Sequence, residues 1–270
     1  MSTYIHGTSP DEQRRLSLMN DVLLNPESLR EMTLRGDERI LDFGSGLGQF
    51  TRAMARAAPR GHVVGIERDP AQRETAQRLA ESEGEGALAE FRAGDVIDLH
   101  LPDGEWGTYD IAHARFVLEH VREPLRVVEN MVRAVRPGGR VILADDDHDV
   151  MRLWPEPAGF TELWRAYMRS YDRLGNDPLA GRRLVSLLHQ AGAMPVRNRW
   201  IFFGGCAGMD TFDVVTANMI GVVTTARQTI LDMALLDAPT FDAAIAAYRK
   251  WARRPDAAIW FSMCWAEGRR

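Results

Sequence analysis

The chain has 270 residues, 45% of them hydrophobic and 26% charged, with a formal net charge of −5. That length fits one large domain or one domain with a cap, and the apolar share excludes a disordered chain. Mild acidity excludes charge-driven, nonspecific binding to nucleic acid or membrane by the chain as a whole.

In chain order, Asp11 is placed to cap a helix to about Asn20, and Asn25-Pro26 to start another to about Leu34. The period then changes. Residues 39–43, Arg-Ile-Leu-Asp-Phe, read as a short buried strand that stops at Gly44. Gln49 to Ala58 reads as a helix, His62 to Ile66 as a second strand, and Pro70 to Glu83 as a helix with proline in its first turn. Ala89–Ala93 and Tyr109–His113 read as strands, Pro124–Val135 as a helix, Arg136-Pro137-Gly138-Gly139 as a break, and Arg140–Ala144 as a fifth strand. Such alternation predicts a parallel sheet with helices on both faces.

The pattern loosens after Asp145. Helices are predicted at Gly159–Leu174, Leu179–Ala191, Thr211–Leu236 and Phe241–Arg253, and strands at Met194–Phe203 and Ala257–Trp265. The Thr211–Leu236 segment is apolar nearly all round. It is predicted to lie under the cap, to line an acceptor pocket or to form a dimer interface, with Gly221 as a candidate break. Its Asp213, Arg227, Gln228 and Asp232 argue against a span of ~18 uncharged apolar residues. The opening residues lack the pattern of a signal peptide, and the two cysteines, Cys206 and Cys264, read as free, mostly buried thiols of a reducing cytosol.

The strongest motif is Asp42-Phe43-Gly44-Ser45-Gly46-Leu47-Gly48, between a predicted strand and a predicted helix. Glycines there admit a ligand to the backbone at the carboxyl edge of a sheet. Gln49 stands where a third dinucleotide glycine belongs, so the G-x-G-x-x-G fingerprint is not met, and no phosphate-binding G-x-x-x-x-G-K-[ST] is present. Glu67 ends the second strand, where a carboxylate accepts hydrogen bonds from both ribose hydroxyls of an adenosine ligand.

Residues 40–48 resemble motif I of class I S-adenosylmethionine-dependent methyltransferases. Gly65-Ile66-Glu67-Arg68-Asp69-Pro70 resembles their acidic second-strand motif, and Ala93-Gly94-Asp95-Val96 the segment beside adenine. Ala114-Arg115-Phe116-Val117-Leu118-Glu119-His120 is similar to the segment after strand four in the ubiquinone/menaquinone-biosynthesis-like small-molecule subgroup, and Arg136 to Gly139 to the turn before strand five. The resemblance covers about residues 39–145. It implies an α/β, Rossmann-like, doubly wound sheet of seven strands with an antiparallel last strand and helical cap insertions. It also implies S-adenosylmethionine as cofactor, held by Gly44, Ser45, Gly46, Gly48, Glu67, Arg68, Asp95, Val96, Ala114 and Arg115. Tyr4-Ile5-His6-Gly7-Thr8 resembles an N-terminal lid, with Tyr4 near the cofactor's methionine end; a frayed arm is the competing reading.

The division this implies is a helical lid at 1–35, a cofactor core at 36–149, and the rest of the sheet at 150–270 with caps at about 150–191 and 204–256. Trp154, Trp164, Tyr167 and Tyr171 suit a flat or apolar acceptor, or else pack the insert onto the sheet. For Asp145-Asp146-Asp147-His148-Asp149 three roles compete: His148 as general base, a divalent metal site, or a solvated capping loop. No metal is expected, because the carboxylate arrangement of the metal-dependent subgroup is absent. His120 is the second candidate base, and Arg115 pairs with an acidic acceptor or with Glu119. His113 reads as a satisfied core or edge histidine. The expectation is a cytoplasmic methyltransferase acting in line on a small acceptor, with no nucleic-acid or membrane partner and a homodimer open. A nicotinamide-dependent oxidoreductase and a catalytically silent partner protein are the alternatives.

Overall fold

The computed structural model describes residues 24–270. The predicted first helix and Tyr4 lie outside that range. Two compact units share the chain, one built from Asn25–Asp146, Ala180–Ile201 and Cys264–Arg270, the other containing Asp147–Leu179 and Phe202–Met263.

The first unit carries a seven-stranded sheet. Its strands are β1 (Arg39–Phe43), β2 (His62–Glu67), β3 (Ala89–Ala93), β4 (Tyr109–Arg115), β5 (Val135–Asp146), β7 (Met194–Phe202) and β10 (Ser262–Arg269), in the order β3-β2-β1-β4-β5-β10-β7. Strand β1 is parallel to β2 (Ile40 beside Val63) and to β4 (Ile40 beside Ile111). Its Ile40, Leu41 and Phe43 have no exposed surface, as a strand covered on both faces requires. Strand β10 runs against β5, since Gly138 N–H donates to Arg270 O at 2.9 Å and Arg270 N–H to Gly139 O at 3.1 Å.

Helices α1 (Asn25–Met32), α2 (Gln49–Ala57), α3 (Pro70–Ser82) and α4 (Pro124–Ala134) follow the predicted order. Asp69 starts α3 by accepting from Ala71 N–H at 2.9 Å and Gln72 N–H at 3.1 Å, and Pro70 takes the first turn. The amphipathic α4 buries Val127, Val128 and Met131 in a core with Leu41, Phe43 and Val64. A later segment, α6 (Leu184–Gln190), returns to that core with Leu184, Leu187 and Leu188.

Arg136 to Gly139 departs from its expected role as a break. The tetrapeptide is the first part of β5, because Tyr109 pairs with Val135 and the register then shifts before Ile111 pairs with Arg140. A bulge absorbs the extra residues, and Gly138 sits at φ 76°, where a side chain is strained.

The second unit holds a small antiparallel sheet that the sequence did not announce, β6 (Arg152–Trp154), β9 (Ala258–Trp260) and β8 (Gly205–Cys206), with β9 in the centre. The single strand expected at 257–265 is therefore two, divided at Phe261. The turn between β7 and β8 needs Gly204, because a Cβ there would lie 2.2 Å from Ile259 O. Four helices complete the unit: α5 (Phe160–Ser170), α7 (Asp210–Thr225), α8 (Arg227–Asp232) and α9 (Ala238–Trp251). The long apolar helix breaks at Ala226, and Gly221 lies within α7. Its burial is one-sided: Phe212, Val215, Met219 and Val223 are buried, whereas Ala217, Thr224 and Thr225 are exposed. Among the described residues no helix is long and apolar enough to cross a membrane.

Candidate cofactor site and its neighbours

The site begins where β1 and β2 end. Gly44 N–H and Ser45 N–H both donate to Ile66 O, at 2.9 and 3.0 Å, which folds the glycine loop over the tip of β2. Gly44, Gly46 and Gly48 all have positive φ, but their surroundings differ. A Cβ on Gly44 would fall 2.7 Å from Val117 Cγ2, and one on Gly48 2.5 Å from Phe91 Cζ, so these two serve close packing. Gly46 faces open space; a Cβ there would meet only Gln72 Oε1, at 3.3 Å.

Glu67 lies directly across from Gly46. Its Oε2 accepts from Gly46 N–H at 2.9 Å and its Oε1 from Asp69 N–H at 2.8 Å. The carboxylate is thus fixed by backbone donors on both oxygens. Each oxygen keeps a further acceptor position, as a ribose diol requires.

Asp95 follows β3. Its Oδ1 accepts from Ile97 N–H at 2.8 Å, and Arg68 lies 3.8 Å from its Oδ2. Val96 is held by its carbonyl, which accepts from Asn130 Nδ2 at 3.0 Å. Ser45 Oγ is buried without a hydrogen-bond partner among the described residues. This orphaned hydroxyl, the open side of Gly46 and the fixed Glu67 carboxylate fit an adenosine-type cofactor.

Ala114 is buried within β4. Arg115 turns toward α1 and α2: its guanidinium donates to Asn25 Oδ1 at 2.9 Å and stacks over Phe50 at 4.1 Å.

Beyond β4, Phe116 takes φ 55° and the chain enters a 3-10 turn at Leu118–His120. Asp145 on β5 holds that turn, with Oδ2 accepting from Val117 N–H at 3.2 Å and Leu118 N–H at 2.7 Å. Complete burial, then the nearby Glu119 charge, pushes the Asp145 carboxyl well above the usual carboxylate range, against the pull of those backbone donors. His120 Nε2 lies 3.3 Å from Glu119 Oε1.

A solvated loop is one of the three roles open to 145–149 from sequence. The structure buries Asp145, Asp146, Asp147 and His148 and exposes only Asp149. In the second unit His148 is surrounded by aromatic rings. Its Nε2 lies 3.1 Å from Tyr171 Oη, its carbonyl accepts from Trp164 Nε1 at 2.6 Å, and Phe261 stacks on it at 5.9 Å. Tyr167 Oη lies 3.1 Å from Tyr171 Oη. Trp164, Tyr167 and Tyr171 are therefore packed interior residues of that unit, while Trp154 is 68% exposed.

One network escaped sequence reading. Asp42 and His113 are register partners on β1 and β4, so their side chains share a face. His113 Nδ1 lies 2.8 Å from Asp42 Oδ1, and Thr51 Oγ1 donates to Asp42 Oδ2 at 2.6 Å. The available signal was an acid two residues before the first glycine in an otherwise apolar strand.

Comparison with known proteins bears on the fold and on the class of domain. The family described as "Methyltransferase domain" matches residues 41–143. The chain is 29% identical to an O-methyltransferase, rstn1, from Aspergillus nomiae, over 71% of this chain and 81% of that protein. It is 27% identical to a demethylmenaquinone methyltransferase from Bacillus licheniformis, over 61% and 69%. A solved structure of a putative methyltransferase from Bacillus halodurans superposes with a TM-score of 0.60 at 17% identity, over 91% of this chain and 97% of that one. The chain spans about half the length, 46% and 53%, of two further curated relatives. Residues 41–143 thus resemble a methyltransferase domain, and the strand order around them is that of a Rossmann-like sheet.

Proposed function

We propose that this protein transfers a methyl group from S-adenosylmethionine to a small organic acceptor, aromatic or apolar, such as a secondary metabolite or a quinone-like ring. The observation that carries the reading is the clasp between Gly46 N–H and Glu67 Oε2, 2.9 Å long, at the carboxyl ends of β1 and β2. The name of the Bacillus licheniformis relative, a demethylmenaquinone methyltransferase, favours a small acceptor over a macromolecule.

When bound, S-adenosylmethionine supplies an electrophilic methyl on a sulfonium sulfur. The chain's own residues then divide the work. Gly46 leaves the cofactor room, Glu67 receives the ribose hydroxyls, and Asp95 receives the adenine amine through the oxygen not engaged by Ile97. The chain's contribution to rate is orientation of the acceptor. Of the two histidines, His120 suits proton removal better: it stands just past β4, with Glu119 Oε1 3.3 Å from its Nε2 to hold the ring. His148 serves its aromatic box, with its ring against Tyr171. A cytoplasmic setting belongs to the same proposal.

Titration calorimetry with S-adenosylhomocysteine and, separately, NAD tests the reading. Binding of the first alone, lost in Glu67→Ala, is the expected result; binding of NAD alone overturns it. For the base, His120→Ala is expected to lower kcat and flatten its rise between pH 6 and 8. An unchanged profile removes His120 from the chemistry.

A further inference from the structure

A pocket of about 210 Å³ opens among Arg35, Glu38, Asp110, Arg136, Arg140 and Arg269. Its residues lie just before β1, at the start of β4, at the start of β5 and at the end of the antiparallel β10. That is the amino-terminal edge of the sheet, opposite the edge that carries the glycine loop and Glu67. The proposed methyl-transfer chemistry makes no use of it.

Both acids of the pocket already have partners. Glu38, buried, accepts from Arg35 N–H at 2.6 Å and Gly36 N–H at 3.0 Å. Asp110 accepts from Arg39 N–H and from Arg136 Nε, each at 2.8 Å. Burial raises the Asp110 carboxyl, but these donors outweigh it and hold it below the usual range, so Asp110 is ionised and fixed.

The arginines are only partly engaged. Arg140 grips Glu267 with Nε and a terminal nitrogen, at 2.8 and 3.0 Å. Arg136 gives Nε to Asp110 and one terminal nitrogen to Pro137 O. A guanidinium carries five N–H donors, so each of these two, held by a carboxylate, keeps others for a ligand. Arg269 is exposed and has no side-chain hydrogen bond or ion pair among the described residues. Gly138 adds an open wall nearby, since a Cβ there would meet nothing within 4 Å. Four arginines and two hydrogen-bonded carboxylates line this concave space, with Arg35 also 3.3 Å from Asp37 Oδ1, and the surplus of guanidinium donors matches the chemistry of a polyvalent oxyanion.

We propose that this pocket binds a phosphate group, as the free ion or on a small metabolite, at a site separate from the cofactor's. Titration calorimetry of the whole protein with inorganic phosphate, pyrophosphate and glucose 6-phosphate tests it. At least one is expected to bind saturably, with a Kd below about 1 mM, and Arg269→Gln is expected to weaken that binding about tenfold with an unchanged thermal midpoint. Arg136→Gln, compared at matched fold by circular dichroism, is expected to weaken it further. Tightest binding of inorganic phosphate points to the free ion as the source, and tightest binding of the ester to a phosphorylated metabolite. Failure of all three to bind, or full affinity in Arg269→Gln, overturns the proposal.

Discussion

Gly46 and Gly48 stand two residues apart and share a positive φ, yet they answer to different constraints. Gly48 is enclosed by Phe91 and Ala76, so Gly48→Ala drives a methyl into a ring. Overpacking of this kind costs about 1–3 kcal/mol, and a lowered thermal midpoint is the expected result. Gly46→Ala meets only the end of a flexible glutamine. Its expected signature is weaker S-adenosylhomocysteine binding with a smaller loss of stability, read by calorimetry and melting on the same sample. Asp145 offers a test through pH. A carboxyl whose folded value is raised contributes its stability fully below its unfolded value, and that contribution is lost as pH rises through the folded one. Asp145→Asn keeps an acceptor for Val117 and Leu118 and removes the ionisation. The melting temperature of the variant relative to wild type is therefore expected to climb between pH 5 and pH 9. A constant difference would assign Asp145 an ordinary carboxylate titration.

At the scale of elements, α3 shows how local rules and the site meet. Asp69 caps the helix with its side chain, while its backbone N–H secures Glu67. Asp69→Ala is expected to cost about 1 kcal/mol in urea denaturation, and the retained backbone donor should keep most cofactor affinity. This half of the chain was legible because its signals are local. Asp69-Pro70 marks a helix start, Pro59 and Gly61 a helix end, and four consecutive buried positions mark β1. The later half was less so. Residues 257–265 carry strand-like composition throughout, but β9 pairs with β6 and β10 with β5, and only those partners divide the run at Phe261. Likewise α7 looked apolar on every side, yet its buried positions recur every three or four residues. Exposed alanine and threonine complete the other face.

For the whole molecule, a ligand that binds only the folded form must raise its stability. At a hundredfold excess over Kd, S-adenosylhomocysteine is expected to add about 2.7 kcal/mol, visible as a higher thermal midpoint. The same addition to Glu67→Ala should give almost no shift. Each unit is assembled from separated stretches of chain, with residues 180–201 and 264–270 returning to the sheet after excursions into the other unit. That exchange has no sequence signature, because the joining segments carry neither linker composition nor charge blocks. The sequence by itself determined the first five strands, the glycine loop and Glu67. Strand and helix periods, turn residues and an ordered motif set are properties of neighbouring residues. Only the tertiary structure decided which side chains meet across the sheet: Asp42 with His113, Asp145 with the turn before His120, and four arginines around one pocket. Those contacts join residues tens of positions apart, and their energies of burial and charge exist only once the strands are in register.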